Sequence, residues 1–255
     1  KSNISESNKA RIRASYKKIL TFYKSLNGQS SQISLYDITP ELLEKWEDWM
    51  INEKGHKYGT QIDYATDIRK VLNLAIKSPS CSYNNNSYPF YLKIENEKGY
   101  VIKEDNQRPI TNYIDDVDLK KFINYKPKTD LEQIAHDLWM FSYDSAGMNA
   151  TDIFNMKWNQ LNLKEEVFLY YRKKTSRQRR QVAKSVSIHQ GHLDIIERNK
   201  GKGEYVFNFH KKYKSVHNLT DQVGRQLKKI GKNLGIKSTL NFMSARNSSF
   251  TNLAK

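Results

Sequence analysis

Apolar side chains recur at three- and four-residue intervals through the first third of the chain. Ile12, Tyr16, Ile19, Leu20 and Tyr23 share one face of a helix expected over Ser7 to Ser25, with Lys9, Arg11, Arg13, Lys17, Lys18 and Lys24 interleaved. In Asp37-Ile-Thr-Pro-Glu, Thr39 can cap a second helix and Pro40 can start it, because proline's fixed φ and missing N–H suit a first turn. That helix continues through Trp46, Trp49 and Met50 and stops near Gly55. A third, from Gly59-Thr60 to Ser78-Pro79, carries Ile62, Ala65, Ile68, Leu72 and Ile76 at helical spacing. These segments predict a small all-α bundle.

Between Ser78 and Pro109 the period is lost among Asn, Ser, Tyr and Pro, which suits the end of the bundle plus an interdomain linker. Periodicity returns in a short helix over Asp115 to Tyr125, lined by Val117, Phe122 and Ile123. A longer one follows over Leu131 to Tyr143, burying Ile134, Leu138, Trp139 and Phe141. A helix beginning near Thr151 gives way to a turn after Trp158 and then a strand pair, with Met148 and Trp158 as core. Ser185 to His189 alternates polar and apolar as a strand does. Gly191 to Asn199 suits a short helix, and Tyr205 to Phe209 a brief buried strand or turn. Leu219, Val223, Leu227, Ile230 and Leu234 mark an amphipathic helix over Asn218 to Leu234, and Leu240 to Lys255 opens a last, uncapped helix. The fold class expected is mainly α with a small β-sheet.

Charge narrows the function. The 255 residues hold 43 Lys plus Arg against 27 Asp plus Glu, a net +16 that phosphate contacts explain most simply. Seven of those cations (Arg172, Lys173, Lys174, Arg177, Arg179, Arg180 and Lys184) fall between Arg172 and Lys184 with no carboxylate among them, so the stretch repels itself unless a polyanion covers it. With Arg11, Arg13, Lys17 and Lys18 they describe a two-lobed clamp able to close on duplex DNA. Membrane-surface binding is the competing reading, but no apolar run approaches a bilayer span and no leader follows the first basic residues, so a soluble intracellular protein without membrane partners is expected. The single cysteine, Cys81, excludes an intramolecular disulfide and a cysteine-paired zinc site. His189, His192, His210 and His217 lack partners at ligand spacing, so neither metal nor other cofactor is expected. An RNA-binding role lacks an RNP-type aromatic strand or KH-type glycine loop.

The order of segments resembles the tyrosine recombinase (phage integrase) family, most closely the integrases of mobile elements in Bacteroides-type bacteria. Tyr88-Pro-Phe, Gly99-Tyr-Val-Ile and Asn106-Gln-Arg-Pro-Ile-Thr are similar to that group's linker. Gly147-Met-Asn-Ala-Thr-Asp152-Ile153 is similar to the first signature of the catalytic domain, usually glycine, a hydrophobic residue, arginine, two residues, an acid and a hydrophobic residue. Lys174, with Lys173 as the one-residue alternative, is similar to the hairpin lysine. Met243-Ser-Ala-Arg246-Asn247-Ser248 is similar to the His-x-x-Arg signature.

The resemblance implies a SAM-like core-site DNA-binding domain over residues 1–104, a linker over 105–112, and over 113–255 a catalytic domain lacking its C-terminal part. It implies strand exchange through a 3′-phosphotyrosyl intermediate, with Arg246 and Lys174 as catalytic groups and Asp152 in support. It further implies double-stranded DNA as partner, a tetramer on DNA with monomeric or weakly associated free protein, an accessory DNA-bending host factor, and a bacterial nucleoid location. The sequence departs from the pattern in several places. Asn149 stands where the first arginine is usual, Ala146 where these relatives can carry it instead, and Met243 where the first histidine is usual. Asn247 follows Arg246 where histidine is common. Among 16 tyrosines the last is Tyr213, upstream of Arg246, whereas the family's nucleophile lies downstream. Two readings follow: a recombinase whose nucleophile is absent from this cleavage-incompetent segment, or a catalytically inactive DNA-binding relative acting as a regulator or directionality factor.

Overall fold

The structure, a computed structural model, describes residues 6–28, 32–92, 98–103, 112–172 and 182–253. The chain separates into two compact units, Lys1–Arg108 and Pro109–Lys255. The expected linker at 105–112 lies, apart from Asn112, outside the described residues.

In the first unit α1 (Glu6–Asn27), α2 (Pro40–Asp48) and α3 (Tyr58–Ile76) form the bundle. Thr39 caps α2, its Oγ1 accepting from Leu42 N–H at 3.2 Å, with Pro40 in the first turn. One turn of wider π-helix, Trp49–Glu53, extends α2 without a signal in the apolar period. Leu43, Trp46, Met50, Ala65 and Leu72 are fully buried, each large side chain among them contributing roughly 1.5 to 3 kcal/mol.

The aperiodic stretch after Ser78 is more ordered than its composition suggested. Tyr83, Tyr88, Phe90 and Tyr100 are buried in the same core, and Phe90 pairs with Tyr100 in a parallel bridge so close that a Cβ on Gly99 would strike the Phe90 backbone. The Tyr100 hydroxyl donates to Glu47 and accepts from Gln61 Nε2 at 2.7 Å, while Lys103 pairs with Glu47 at 2.6 Å. Burial and the Glu47 carboxylate push the Tyr100 phenol up, so it stays a donor.

The second unit is mainly helical: α4 (Asp116–Ile123), α5 (Asp130–Asp144), α6 (Ala150–Phe154), α7 (Gln190–Arg198), α8 (Phe209–Lys212), α9 (Val216–Asn233) and α10 (Phe242–Leu253). Its small sheet is antiparallel in the order β1 (Leu161–Asn162), β2 (Val167–Tyr170), β3 (Lys184–Ser187), with Tyr170 opposite Lys184. Strand β3 falls where Ser185 to His189 alternates, and the two-residue β1 lies directly after the turn at Trp158. Helix α4 buries Phe122 as expected, but Val117 and Ile123 are exposed and Leu119 is buried in their place. Trp139, Phe141 and Met148 lie in the core, with Trp158 packed at its margin.

Two features bind the ends of this unit together. Ile114 N–H donates to Ser248 Oγ (2.9 Å), Asn247 Nδ2 to Asn112 O (3.0 Å), and Asn112 Nδ2 to Thr239 O (2.5 Å), so the segment entering the unit is strapped to α10. Across the core, Arg198 and Asn199 both donate to the buried Asp137, Arg198 through Nε at 3.2 Å and Nη2 at 2.7 Å.

Candidate active site

Helix α10 starts with a reciprocal cap. Ser244 N–H donates to Asn241 Oδ1 at 2.8 Å and Asn241 N–H to Ser244 Oγ at 3.0 Å, while Trp139 Nε1 donates to the same hydroxyl at 3.2 Å. With Ala245 and Ser248 turned into the core, Arg246 is left half-buried on the facing edge. Its Nη1 donates to Asn149 Oδ1 at 3.2 Å, and the Phe250 ring lies 6.0 Å from its guanidinium carbon.

The loop beneath Arg246 is shaped by two consecutive left-handed residues, Ala146 (φ 50°) and Gly147 (φ 72°). This turn brings Gly147 against the arginine stem, and a Cβ there would lie 2.5 Å from Arg246 Cγ. Ser142 fixes the turn from both sides: its carbonyl accepts from Gly147 N–H (2.8 Å) and its hydroxyl donates to Met148 O (2.8 Å). Asn149 is the N-cap residue of α6 yet makes no side-chain cap; its oxygen serves Arg246, and its amide nitrogen lies 3.5 Å from Asp152 Oδ2.

A fourth group converges from the sheet. Tyr170, at the end of β2, is buried, and its phenol is pushed up first by desolvation and then by Asp152, with Arg172 and Arg246 opposing. Asp152, Arg172 and Arg246 therefore all lie near enough to the phenol to influence it. A guanidinium already seated by Asn149 and Gly147 keeps N–H groups for an incoming phosphate, which it can hold with paired hydrogen bonds.

Of the expected site residues, the structure brings Asn149, Asp152 and Arg246 together, and Arg172 stands two residues after Tyr170. Met243 sits one turn before Arg246 and is exposed; its thioether offers no proton for a hydrogen bond. Asn247 turns to the strap at Asn112. Lys173, Lys174, Arg177, Arg179 and Arg180 lie outside the described residues. On α1, Arg13 and Lys17 are exposed, Lys18 lies 3.2 Å from His56, and Arg11 pairs with the buried Asp67 at 2.7 Å and with Asp63 at 3.9 Å. Sequence reasoning missed Tyr170 and Ser145; it singled out Ala146, Gly147 and Asn149 through the family signature, but not that Gly147 and Asn149 seat Arg246. Among the described residues no three His, Cys, Asp or Glu side chains are placed to hold a metal ion, and no helix is long and apolar enough to cross a membrane.

Residues 1–95 match the family model of the phage integrase SAM-like domain. Among solved structures, the Tn1549 transposon integrase in complex with transposon right-end DNA is similar over 99% of this chain and 82% of its own, at 13% identity and a TM-score of 0.67. The XerH site-specific recombinase bound to its difH substrate is similar over 92% of this chain and 66% of its own, at 14% identity and TM-score 0.59. A lambda integrase dimer bound to a core site is similar over 97% and 73%, at 13% identity and TM-score 0.52. No curated protein sequence matches the chain. Residues 1–95 thus form a phage integrase SAM-like domain, and the chain as a whole has the tyrosine recombinase fold.

Proposed function

We propose that this chain acts in site-specific DNA recombination, gripping a duplex with residues 1–104 and 113–255 as two domains joined by 105–112 and anchoring a phosphate on Arg246. The observation that carries the reading is the seating of Arg246 by Asn149 and Gly147, in a fold whose solved relatives are named as integrases and recombinases bound to DNA. Charge growing on the phosphate oxygens needs cations fixed in advance, and Arg246, Arg172 and the hairpin lysines Lys174 or Lys173 are the candidates. In the full reaction the cut strand is held as a 3′-phosphotyrosyl ester, by a tyrosine that is none of the 16 in this sequence, within a bacterial tetramer on two duplexes.

A second reading, a DNA-binding relative without cleavage activity, is favoured by the neutral Asn149 and the exposed Met243 where the family signature places arginine and histidine. Selection from a randomised duplex pool tests the shared part. A defined sequence should be enriched, and Arg246→Ala should weaken binding to it about tenfold or more, the value of a charge-assisted hydrogen bond. Equal retention of every duplex, or of structured RNA, sinks the proposal. A suicide substrate that traps a covalent adduct with this chain would refute its cleavage incompetence.

A further inference from the structure

We propose that His192, acting through Ser145, is the positioning residue that sets Arg246. Three links connect them. His192 is fully buried on α7 between Phe141 and Phe168, with ring centroids 4.9 and 5.9 Å away. Its Nδ1 accepts from the His189 backbone N–H at 3.4 Å, so Nε2 carries the ring proton and donates to Ser145 Oγ at 3.0 Å. Ser145 is also buried, and it begins the left-handed pair Ala146 and Gly147 on which the arginine stem rests. Two residues later Asn149 Oδ1 takes the guanidinium.

The conformation of that loop is not one an L-residue favours. Ala146 in the left-handed region costs on the order of 1 kcal/mol, so contacts around the turn must hold it there. Ser142 holds its far side, and His192 is the side chain that holds the near side. Helix α7 starts directly after β3, the strand leaving the basic hairpin. His192 thereby ties the end of β3 to the seat of Arg246. Neither Ser145 nor His192 is open to solvent, and their pairing carries no chemistry of its own.

The proposal rests on Arg246 as the phosphate anchor, but its test reads the arginine directly, without DNA. Hydrogen exchange at Arg246 Nη1, the group that donates to Asn149, followed by NMR in the 255-residue chain, should quicken about fivefold in Ser145→Ala and His192→Leu, the equivalent of one lost neutral hydrogen bond. His192→Gln, whose amide nitrogen can replace Nε2, should restore it. Arg198 Nε, on the same helix as His192 and bonded to Asp137, is the internal control. Unchanged exchange at Arg246 in a folded Ser145→Ala chain overturns the proposal, and so does quickening of Arg246 and Arg198 together, which marks general loosening. If instead exchange responds as expected and duplex selection finds nothing, the positioning stands and the recombination reading fails.

Discussion

Acid should weaken this protein in a window that belongs to His192. Burial, reinforced by the neighbouring His189, pushes its pKa down to about 4 from an ordinary 6.5. The unfolded chain therefore binds a proton in this interval that the folded chain rejects, and stability falls as pH drops from 6.5 through 4. At about 1.36 kcal/mol per unit, the loss reaches roughly 2.5 kcal/mol at pH 4.5. Other groups titrate nearby: burial pushes Asp144 up and His136 down. The informative quantity is consequently a difference, the urea unfolding free energy of the parent minus that of His192→Gln, followed from pH 7.5 to 4.5. Glutamine takes no proton, so the gap between the two chains should close by about 2.5 kcal/mol on acidification and can reverse sign. Parallel profiles would refute the claim that a neutral, desolvated His192 holds the loop.

Gly147→Ala should destabilise the unit by about 1 to 2 kcal/mol in denaturant titration, because a Cβ is disfavoured at φ 72° and must displace the Arg246 stem. The same substitution should lower duplex affinity, whereas Gly203→Ala, at φ 87° with open space around it, should cost stability alone. Glu132, held down to about 2 by the Lys128 N–H, the Tyr125 hydroxyl and Lys229, contributes stability present above its ordinary range and lost as pH falls from about 4.5 toward 2. Glu132→Gln should flatten the thermal unfolding profile in that window. Asp137→Ala strands Arg198 and Asn199 and should cost roughly 3 kcal/mol, measured by thermal unfolding at neutral pH.

The helical periods were legible because they follow from backbone geometry and need no knowledge of partners. Ile19, Ala65, Ile68 and Leu72 in the first unit, and Leu219, Val223, Leu227 and Ile230 on α9, are all buried at the expected spacing. Helix α4 was read only in part because eight residues carry barely two turns. Phe122 is buried as expected, but its companion on that face is Leu119, three residues earlier, whereas Val117 and Ile123 point elsewhere. The bridge from Phe90 to Tyr100 was invisible for another reason: its partners supply no alternation, only a close approach allowed by Gly99. Arg246 could be found from its neighbours in sequence. Its seat could not, since Asn149 stands 97 residues earlier, and nothing local marks His192 and Ser145, 47 residues apart, as a pair.

The strap at Asn112 and Ile114 has a consequence for how the second unit comes into being. Its hydrogen bonds close over 134 residues between Ile114 and Ser248, and Trp139 meets Ser244 across 105. Contacts of such span demand a large loss of chain entropy before they return any stability, so this unit should fold slowly and all at once. On the ribosome, residues 6–103 can settle while the later segments wait. Until α10 emerges, the Trp139 indole N–H and the Ile114 backbone N–H lack their final acceptors, and the exposed core is then at its most prone to aggregate.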